Sequence, residues 1–523
     1  PRETMICIPF IANNLDDAVK DMAEASRFAD IVELRIDYMK RPDLKSLLER
    51  RTKPTIVTNR PVREGGKFEG TEEDRLSLLK LAIKLQADYV DVEHDSIQKL
   101  RDDTAINTTD NKTRLIVSYH HFQETPGNLS ETYQKLSKTG ADLIKIVTFA
   151  NTITDNITIY RLLQQAKMPL ISFCMGEYGA ISRILYKKFG SCLTFASLQK
   201  GKESAPGQVN IHELLNVYRV KSQDKQTAIY GLIGNPVSHS IGPYIHNALF
   251  KELGLNAVYV PFKVDKVEAF IKEFKALDTR GYSVTIPHKE SVISYLDETD
   301  PMVKKIGAAN TVVNKDGRLM GYNTDCEAAM KTLECAIEDA SRGSSQSKPA
   351  TTNSILLKGK TATILGAGGA ARAIAFGLKL RGAIVTILNR NYERARLLAG
   401  DVGCLSGRPE DFQADRTDII INATPVGMFP AVDDTPIDRN KLKPGMTIFD
   451  TIYNPLETRL LREAREQGCT VVGGLPMFAR QAAEQFQLWT GRTPALESIE
   501  KIACERLTNT QSLNDNHLPN KKS

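Results

Sequence analysis

Residues 361–382 read TATILGAGGAARAIAFGLKLRG, and this stretch decides the fold of the C-terminal half. TATIL is a short β-like apolar run, AIAFGLKL continues at helical spacing, and between them Gly366, Gly368 and Ala371 fit the pattern G-x-G-x-x-G/A. Glycines at these positions let backbone N–H groups and a helix N-terminus come close to a pyrophosphate. The pattern alone is weak, and the strand–turn–helix context gives it weight. The spacing predicts a Rossmann-type dinucleotide-binding domain over residues 355–490, carried on by IVTILNR, IIINATPVGM, MTIFDTIYNP and TVVGG. Where an acid would hold a ribose 2′-hydroxyl, IVTILNR ends instead in Asn389 and Arg390. A neutral and a cationic side chain favour a 2′-phosphate, hence NADP. The following Asn391 leaves NAD possible, and a solvated arginine at a strand end is the plain structural alternative.

Working upstream, TAIYGLIGNPVSHS opens a second α/β segment over residues 228–335, after a polar linker around 219–227. GYSVTIPHKE, GAANTVV and GYNTD place Lys289, Asn310 and Asp325 in one short stretch. Lys289 and Asp325 make sense as a proton relay to an oxygen that changes oxidation state: an ammonium can protonate a developing alkoxide while a carboxylate orients it. A surface ion pair is the ordinary alternative. SRGSSQSKPATTNS, rich in Ser and Thr, reads as a solvated loop between the two segments. Downstream, residues 491–507 are expected to form a helix packing back on the substrate segment, and residues 508–523 a flexible polar tail.

Upstream of residue 219 the pattern changes. Eight apolar runs, TMICIPF, IVELRID, PTIVTNR, YVDVEH, RLIVSYH, LIKIVTFA, LISFCM and LTFASL, recur roughly every 27 residues with amphipathic stretches between most of them. They predict a (β/α)8 barrel over residues 1–218, with a doubly wound open sheet as the alternative. Glu33, Arg35, Arg60, His120 and Lys145 stand at or near the ends of these runs, where such a barrel builds its site. Lys145 sits inside LIKIVTF, a costly place for an amine without a partner. Burial and neighbouring cations would favour its neutral form, which condenses with a ketone. His120 ends the preceding run in register with Ser118, placing it to act as general acid and base, and Arg35, Arg60 and Arg183 offer cationic forks for a carboxylate.

The 523 residues exceed what one core usually serves. A hydrophobic fraction of 41% and a charged fraction of 25% are globular averages, and no apolar run approaches a membrane span. A net charge of +6 without a dense basic stripe argues against nucleic acid and is met by small anionic substrates. Eight scattered cysteines form no CxxC pair or metal cluster and suit a reducing compartment. The chain starts at Pro1, so a cleaved targeting segment would already be missing. Two fused domains suggest a monomer.

Residues 1–218 resemble the type I 3-dehydroquinate dehydratase family in ELRID, NRPVREGG, SYHHF, IKI, ISR and SAPGQ. The resemblance implies that Lys145 forms a Schiff base, that His120 moves the proton with Glu64 as its partner, and that Glu33, Arg35, Arg60, Arg183, Ser204 and Gln208 hold the substrate. His121 stands where that family usually has Asp or Asn, which leaves a swap of roles between His120 and His121 conceivable. Residues 228–505 resemble the shikimate dehydrogenase family through GNPVSHS, SVTIPHK, GAANTV, GYNTD, GAGGAAR, NATPVGM, DTIYNP and RQAAEQFQLWTG. This implies that Ser238 and Ser240 grip a carboxylate, that Thr285, Asn310 and Gln481 bind ring hydroxyls, and that Lys289 and Asp325 carry the chemistry. It also implies that Tyr453 borders the substrate, and that Gly366, Ala367, Gly368, Gly369, Ala370, Asn389, Arg390, Thr424 and Met477 meet the cofactor. Gly242, Ser283 and Asn391 depart from that family's usual residues, and the room left by Gly242 keeps quinate open as a substrate.

Together the halves resemble the family of plant bifunctional 3-dehydroquinate dehydratase/shikimate dehydrogenases. The implied activity is dehydration of 3-dehydroquinate followed by NADPH-dependent reduction to shikimate, with plastid residence by resemblance. A ligand-sensing regulator of the same folds is the other class, and it would be expected to lose Lys145, His120, Lys289 or Asp325, all of which are present.

Overall fold

The computed structural model describes residues 4–102, 112–199, 201, 203–342 and 356–515. Most of the Ser/Thr-rich stretch before residue 355 and the end of the tail lie outside them. The chain divides into two compact units, residues 1–229 with 254–278, and residues 230–253 with 279–523.

The first unit is built on eight parallel strands: β1 (Met5–Phe10), β2 (Ile31–Arg35), β3 (Thr55–Thr58), β4 (Tyr89–Glu93), β5 (Arg114–His120), β6 (Leu143–Phe149), β7 (Leu170–Met175) and β8 (Leu193–Ser197). Each pairs in parallel with the next from β1 to β7, and β1 also pairs with β8, giving the (β/α)8 barrel. The seam lies between β7 and β8. There no ladder forms among the described residues, and the Cys192 N–H donates to the Leu170 carbonyl at 3.1 Å. A short ninth strand, β9 (Val209–Asn210), extends β8.

Side chains alternate across a strand, so one face of each strand fills the barrel. Its lower layers are apolar, with Cys7, Ile31, Ile56, Ile116, Leu143 and Ile171 packed together. Two residues further along β2 to β6 the same inward positions become polar, Glu33, Thr58, Asp91, Ser118 and Lys145, while β7 and β8 place Phe173 and Phe195 there. The period of two, not a local motif, turns eight apolar runs into a barrel with a charged mouth.

β11 (Ala257–Lys263) and the helix Val267–Phe274, inside the interval that the sequence assigns to one domain, group with the first unit, after β10 (Ala228–Gly234) has opened the next. Tyr178 bonds Asp265, Lys263 bonds Glu177, and Arg161 reaches Glu273 at 2.9 Å.

In the second unit, β10, β12 (Thr279–Val284), β14 (Thr311–Lys315), β15 (Arg318–Tyr322) and β13 (Glu298–Thr299) follow one another in a mixed sheet. A second, wholly parallel sheet contains β16 (Thr361–Leu365), β17 (Ile384–Leu388), β18 (Leu405–Gly407), β19 (Ile419–Asn422), β20 (Thr447–Asp450) and β21 (Thr470–Val472). Its order, β18-β17-β16-β19-β20-β21, is the Rossmann order, and the direction of winding reverses between β16 and β19. GAGGAAR begins at the end of β16 and NATPVGM at the end of β19, so both face the crevice where such sheets bind ligands.

The helix Gly474–Thr490 ties this sheet to the mixed one. Trp489 Nε1 donates to the Val312 carbonyl at 3.0 Å, and Gln485 reaches the Asn310 carbonyl at 3.1 Å. The last helix, Leu496–Asp515, runs past the point where the sequence places a tail. Its Arg506 donates to the Tyr244 hydroxyl at 2.6 Å and lies over that ring, on the helix Gly242–Glu252. Among the described residues no helix is long and apolar enough to cross a membrane.

Candidate active sites

Lys145 projects into the barrel from the middle of β6. Its Nζ lies 2.8 Å from Asp91 Oδ2 and 3.7 Å from Glu33 Oε1, and 4.6 Å above the Phe195 ring. The nearest charges are therefore carboxylates. This corrects the expectation of cationic neighbours: Arg60 is close, but Asp91 stands between, accepting from Arg60 Nη2 at 2.8 Å. Asp91 is fully buried and also accepts from Ser118 Oγ at 2.7 Å. Burial raises its carboxyl, but Arg60 and Lys145 outweigh burial and hold it well below the usual carboxylate range.

His120 ends β5 and Glu64 comes from the PVREGG turn after β3. That turn is possible because residue 66 is glycine: a Cβ there would sit 1.9 Å from the Arg60 carbonyl oxygen. Glu64 Oε2 is 2.8 Å from His120 Nδ1. Burial raises the Glu64 carboxyl to about 7, against Arg60 and with Glu93, Asp91 and Asp95 adding to the rise. Burial, followed by repulsion from Arg60 and Lys145, pushes the His120 imidazole well below its ordinary value. A neutral ring whose Nδ1–H is given to an ionised Glu64 keeps Nε2 as an acceptor, which is what a general base needs. His121 turns away, its Nδ1 accepting the Glu124 N–H at 3.2 Å.

The three arginines that the sequence offers as forks differ sharply. Arg35 is clasped by Asp37 at 2.9 and 2.8 Å, and Arg60 is committed to Asp91, Glu93 and Ser118. Arg183 is buried with Nε and Nη2 lacking a hydrogen-bond partner, its guanidinium stacked 4.1 Å over Phe173. Burial without a counter-anion draws it down to about 9. It is a cation waiting for an anion. Ser204 and Gln208 complete the same pocket: the Ser204 N–H donates to Gln208 Oε1 at 2.8 Å, and the buried Gln208 Nε2 has no partner. Glu33, Arg35, Arg60, Glu64, His120, Lys145 and Arg183 line it with them.

In the second unit, Lys289 Nζ lies 2.5 Å from Asp325 Oδ2, while Asn310 Nδ2 donates to Asp325 Oδ1 at 2.8 Å. Asn310 is fixed in turn by the Thr324 N–H, which donates to its Oδ1 at 2.8 Å. Thr285 follows β12, its N–H donating to the Ile233 carbonyl, and Ser240 accepts from the Gly242 N–H at 3.1 Å. Ser238 is exposed, and Tyr453 is half-buried against Phe478. Gln481 is half-buried, whereas Gln485, one turn later, is buried and bonded to Ser283, Asn310 and Thr311. The sequence reading missed Gln485, Asp91 and Glu93. Alternation with valine in YVDVE was the signal for the two acids, and the i, i+4 spacing from Gln481 the signal for the glutamine.

The phosphate loop suits a dinucleotide. Gly366 has φ +111° and a Cβ there would lie 2.8 Å from the Ala423 carbonyl oxygen, so only glycine fits. The helix Gly369–Leu380 starts at Gly368 without a side-chain cap, and a Cβ on Gly368 would meet nothing within 4 Å, which leaves its first N–H groups open to an anion. A Cβ on Gly369 would lie 3.1 Å from Lys289 Cδ, so the phosphate loop and the Lys289–Asp325 pair share one crevice. Arg390 is exposed at the end of β17, and Asn389 Nδ2 donates to the Asn391 carbonyl at 2.9 Å. Thr424 donates to Asn422 Oδ1 at 2.7 Å. Met477 lies in the apolar core behind the crevice.

Three family descriptions match in chain order: type I 3-dehydroquinase over residues 6–225, shikimate dehydrogenase substrate binding domain over 232–312, and shikimate 5′-dehydrogenase C-terminal domain over 474–504. A chloroplastic bifunctional 3-dehydroquinate dehydratase/shikimate dehydrogenase of Arabidopsis thaliana is 42% identical over 504 residues, covering 93% of this chain and 82% of its own. The chain belongs to the bifunctional 3-dehydroquinate dehydratase/shikimate dehydrogenase family. An NADP(+) shikimate dehydrogenase of Pyrococcus furiosus is 43% identical over 282 residues, 53% of this chain and 96% of its own. A solved structure of dehydroquinate dehydratase and shikimate dehydrogenase from S. pombe is 25% identical, covering 96% of this chain and 98% of that one with a TM-score of 0.42. As a member of this bifunctional family, the chain is a shikimate-pathway enzyme that joins a lyase, the type I dehydroquinate dehydratase, to an oxidoreductase, the NADP-dependent shikimate dehydrogenase.

Proposed function

We propose that Lys145, His120, Glu64 and Arg183 perform the dehydration, and that Lys289 and Asp325 perform the proton transfer of the reduction. In the barrel, Lys145 Nζ adds to the ketone carbon of 3-dehydroquinate and the carbonyl oxygen leaves as water, giving an iminium. The cationic nitrogen draws electrons from the adjacent carbon, so His120 Nε2 can take its proton. The electron pair forms the new double bond and expels the β-hydroxyl, which leaves as water with the proton His120 returns. Water then hydrolyses the imine, freeing 3-dehydroshikimate and the amine. Arg183 meets the substrate carboxylate, while Ser204 and Gln208 close over it. Positioned acid–base groups of this kind are worth about 10²–10⁴ in rate.

Bound NADPH supplies the hydride for the second reaction. Gly366, Ala367, Gly368, Gly369 and Ala370 would hold its phosphates, with Asn389 and Arg390 at the 2′-phosphate and Thr424 beside the loop. The chain's own part is the proton. Lys289 Nζ gives one to the ketone oxygen as that oxygen gains negative charge, and Asp325 aims the ammonium and accepts from a ring hydroxyl, with Asn310 holding the carboxylate. Ser238, Ser240, Thr285, Gln481 and Tyr453 surround the ring and its carboxylate.

The observation that carries the reading is Arg183, a buried cation with no acid partner facing the same pocket as Lys145 and His120. Borohydride added to the enzyme with 3-dehydroquinate tests it: mass spectrometry of the digest should place ligand mass on Lys145. Recovery of an unmodified Lys145 peptide under turnover conditions rules the Schiff-base assignment out.

Gly242 favours a second reading for the reductase half, since the chain offers only its N–H, bonded to Ser240, where a side-chain hydroxyl could stand. Quinate, which carries a tertiary hydroxyl that shikimate lacks, would fit that space. Comparing kcat/KM for shikimate and quinate, each with NADP and NAD, decides the preference. Plastid residence is proposed from the chloroplastic relative, and localisation of the complete gene product checks it.

A further inference from the structure

The carboxyl group of Glu64 lies between two histidines. Its Oε2 is 2.8 Å from His120 Nδ1, and its Oε1 is 3.9 Å from His94 Nδ1. The side chains of Glu64 and His120 are each 10% exposed, whereas that of His94 is 41% exposed. His94 therefore stands on the solvent side of a dyad whose other end lines the substrate pocket. Its place is set by the fold: it follows β4 directly, its N–H donates to the Ser118 carbonyl at 3.0 Å, and its ring meets the edge of Tyr119 at 5.4 Å.

The charges around Glu64 make its ionisation precarious. Asp91 and Glu93 approach from β4, Asp95 from the turn after it, Arg60 from the start of its own turn at 4.0 Å, and His120 from β5. Three of these are carboxylates, and together with burial they raise Glu64 to about 7. Arg60 opposes them, but its nitrogens already serve Asp91, Glu93 and Ser118. A protonated Glu64 would donate to His120 Nδ1 and drive the imidazole into the tautomer that carries its hydrogen on Nε2. That nitrogen could then take no proton from the substrate.

Resting on the roles proposed above for Glu64 and His120, we propose that His94 is a positioning residue for the dehydration: its imidazolium keeps Glu64 ionised and so holds His120 in the tautomer whose Nε2 is free. Histidine as a side-chain type can carry a proton near neutrality, and the His94 ring stands on the solvent side of Glu64, with Nδ1 3.9 Å from Oε1. The charged groups beside it are Glu64 and Asp95, the latter paired with Arg63 at 3.0 Å.

The pH profile of dehydratase kcat/KM, measured on the full chain as wild type, His94→Gln and His94→Lys, tests this. His94→Gln should lower kcat/KM about three- to tenfold near pH 6 while leaving it within about twofold near pH 8.5, a shift of the acid limb only. His94→Lys, a standing cation at the same place, should return the limb to the wild-type position or below. An acid limb that stays put in His94→Gln, or an equal loss at every pH in both variants, overturns the inference, with dehydrogenase activity and Tm of the same samples reporting on folding. His120→Ala separates this from the reading beneath it: if that variant keeps its dehydratase, the roles of His120 and Glu64 fail, and if it is inactive while the limb does not move, only the role of His94 fails.

Discussion

Lys145 and Asp91 are joined at 2.8 Å inside the barrel, and the same Asp91 oxygen holds Arg60 at 2.8 Å. One carboxylate thus fixes the amine of β6 and the guanidinium that follows β3. Asp91→Asn keeps the shape and removes the charge, leaving two buried cations to repel each other. Breaking a buried ion pair by removing one partner costs about 3–5 kcal/mol. We expect a fall in stability of that order in urea unfolding of the barrel, and a drop in dehydratase kcat of at least about a hundredfold as the amine loses its aim. Reductase activity retained by the same sample separates a local effect from general unfolding.

Lys289→Ala or Asp325→Asn should lower reductase turnover by about 10²–10⁴ and leave the dehydratase nearly intact. The pair lies at 2.5 Å, and Asn310, which holds Asp325, belongs to the same unit. KM for shikimate should move less than kcat for Lys289→Ala, since the proton is needed only as charge develops on the oxygen. Equal loss of both activities would point to misfolding or to a misplaced site.

The sequence made the elements legible because they rest on local patterns. Period-two alternation marked the eight barrel strands, and Gly366, Gly368 and Ala371 marked the phosphate loop. Lys145 stood out because an amine in an apolar strand needs a reason. What it could not show is which partner each charge takes. Arg35, Arg60 and Arg183 look alike in sequence, and only packing reveals that two are matched by acids from Asp37, Asp91 and Glu93 while the third is not. The charges beside Lys145 were read with the wrong sign for the same reason, since Asp91 lies 54 positions away. Gln485, one helical turn beyond Gln481, was not legible because its bonds to Ser283, Asn310 and Thr311 come from packing across more than 170 positions.

Asp450 gives the reductase half a pH dependence of its own. Burial raises its carboxyl from 3.8 to about 6, although Thr458, the Ile452 N–H and Asn422 all donate to it. A carboxyl raised on folding binds a proton more tightly in the folded chain, so its contribution is fully present below about pH 3.8 and is lost as pH rises through about 6. The loss is at most about 3 kcal/mol, at 1.36 kcal/mol for each unit of pKa. Asp450→Asn does not titrate, and its amide can keep the same three neighbours once the Thr458 hydroxyl turns. Its Tm relative to wild type should therefore be higher at pH 8 than at pH 5. A difference that is constant across that range would mean Asp450 does not change charge there.

Arg390 is the side chain on which the choice of cofactor turns. It is exposed at the end of β17, with no acid beside it among the bonds described, and the turn that follows is held by Asn391, whose Oδ1 accepts the Arg394 N–H at 3.2 Å. An acid at that place would accept from a ribose hydroxyl and repel a phosphate, whereas a guanidinium gains a charge-assisted bond only when the phosphate is present. Arg390→Ala should weaken NADP binding about tenfold to a hundredfold in calorimetry and leave NAD binding within about twofold. The NADP effect should shrink as salt is raised, because an exposed cation–phosphate contact is screened. Equal weakening of both cofactors would place the effect in the turn itself and not in recognition of the 2′-phosphate.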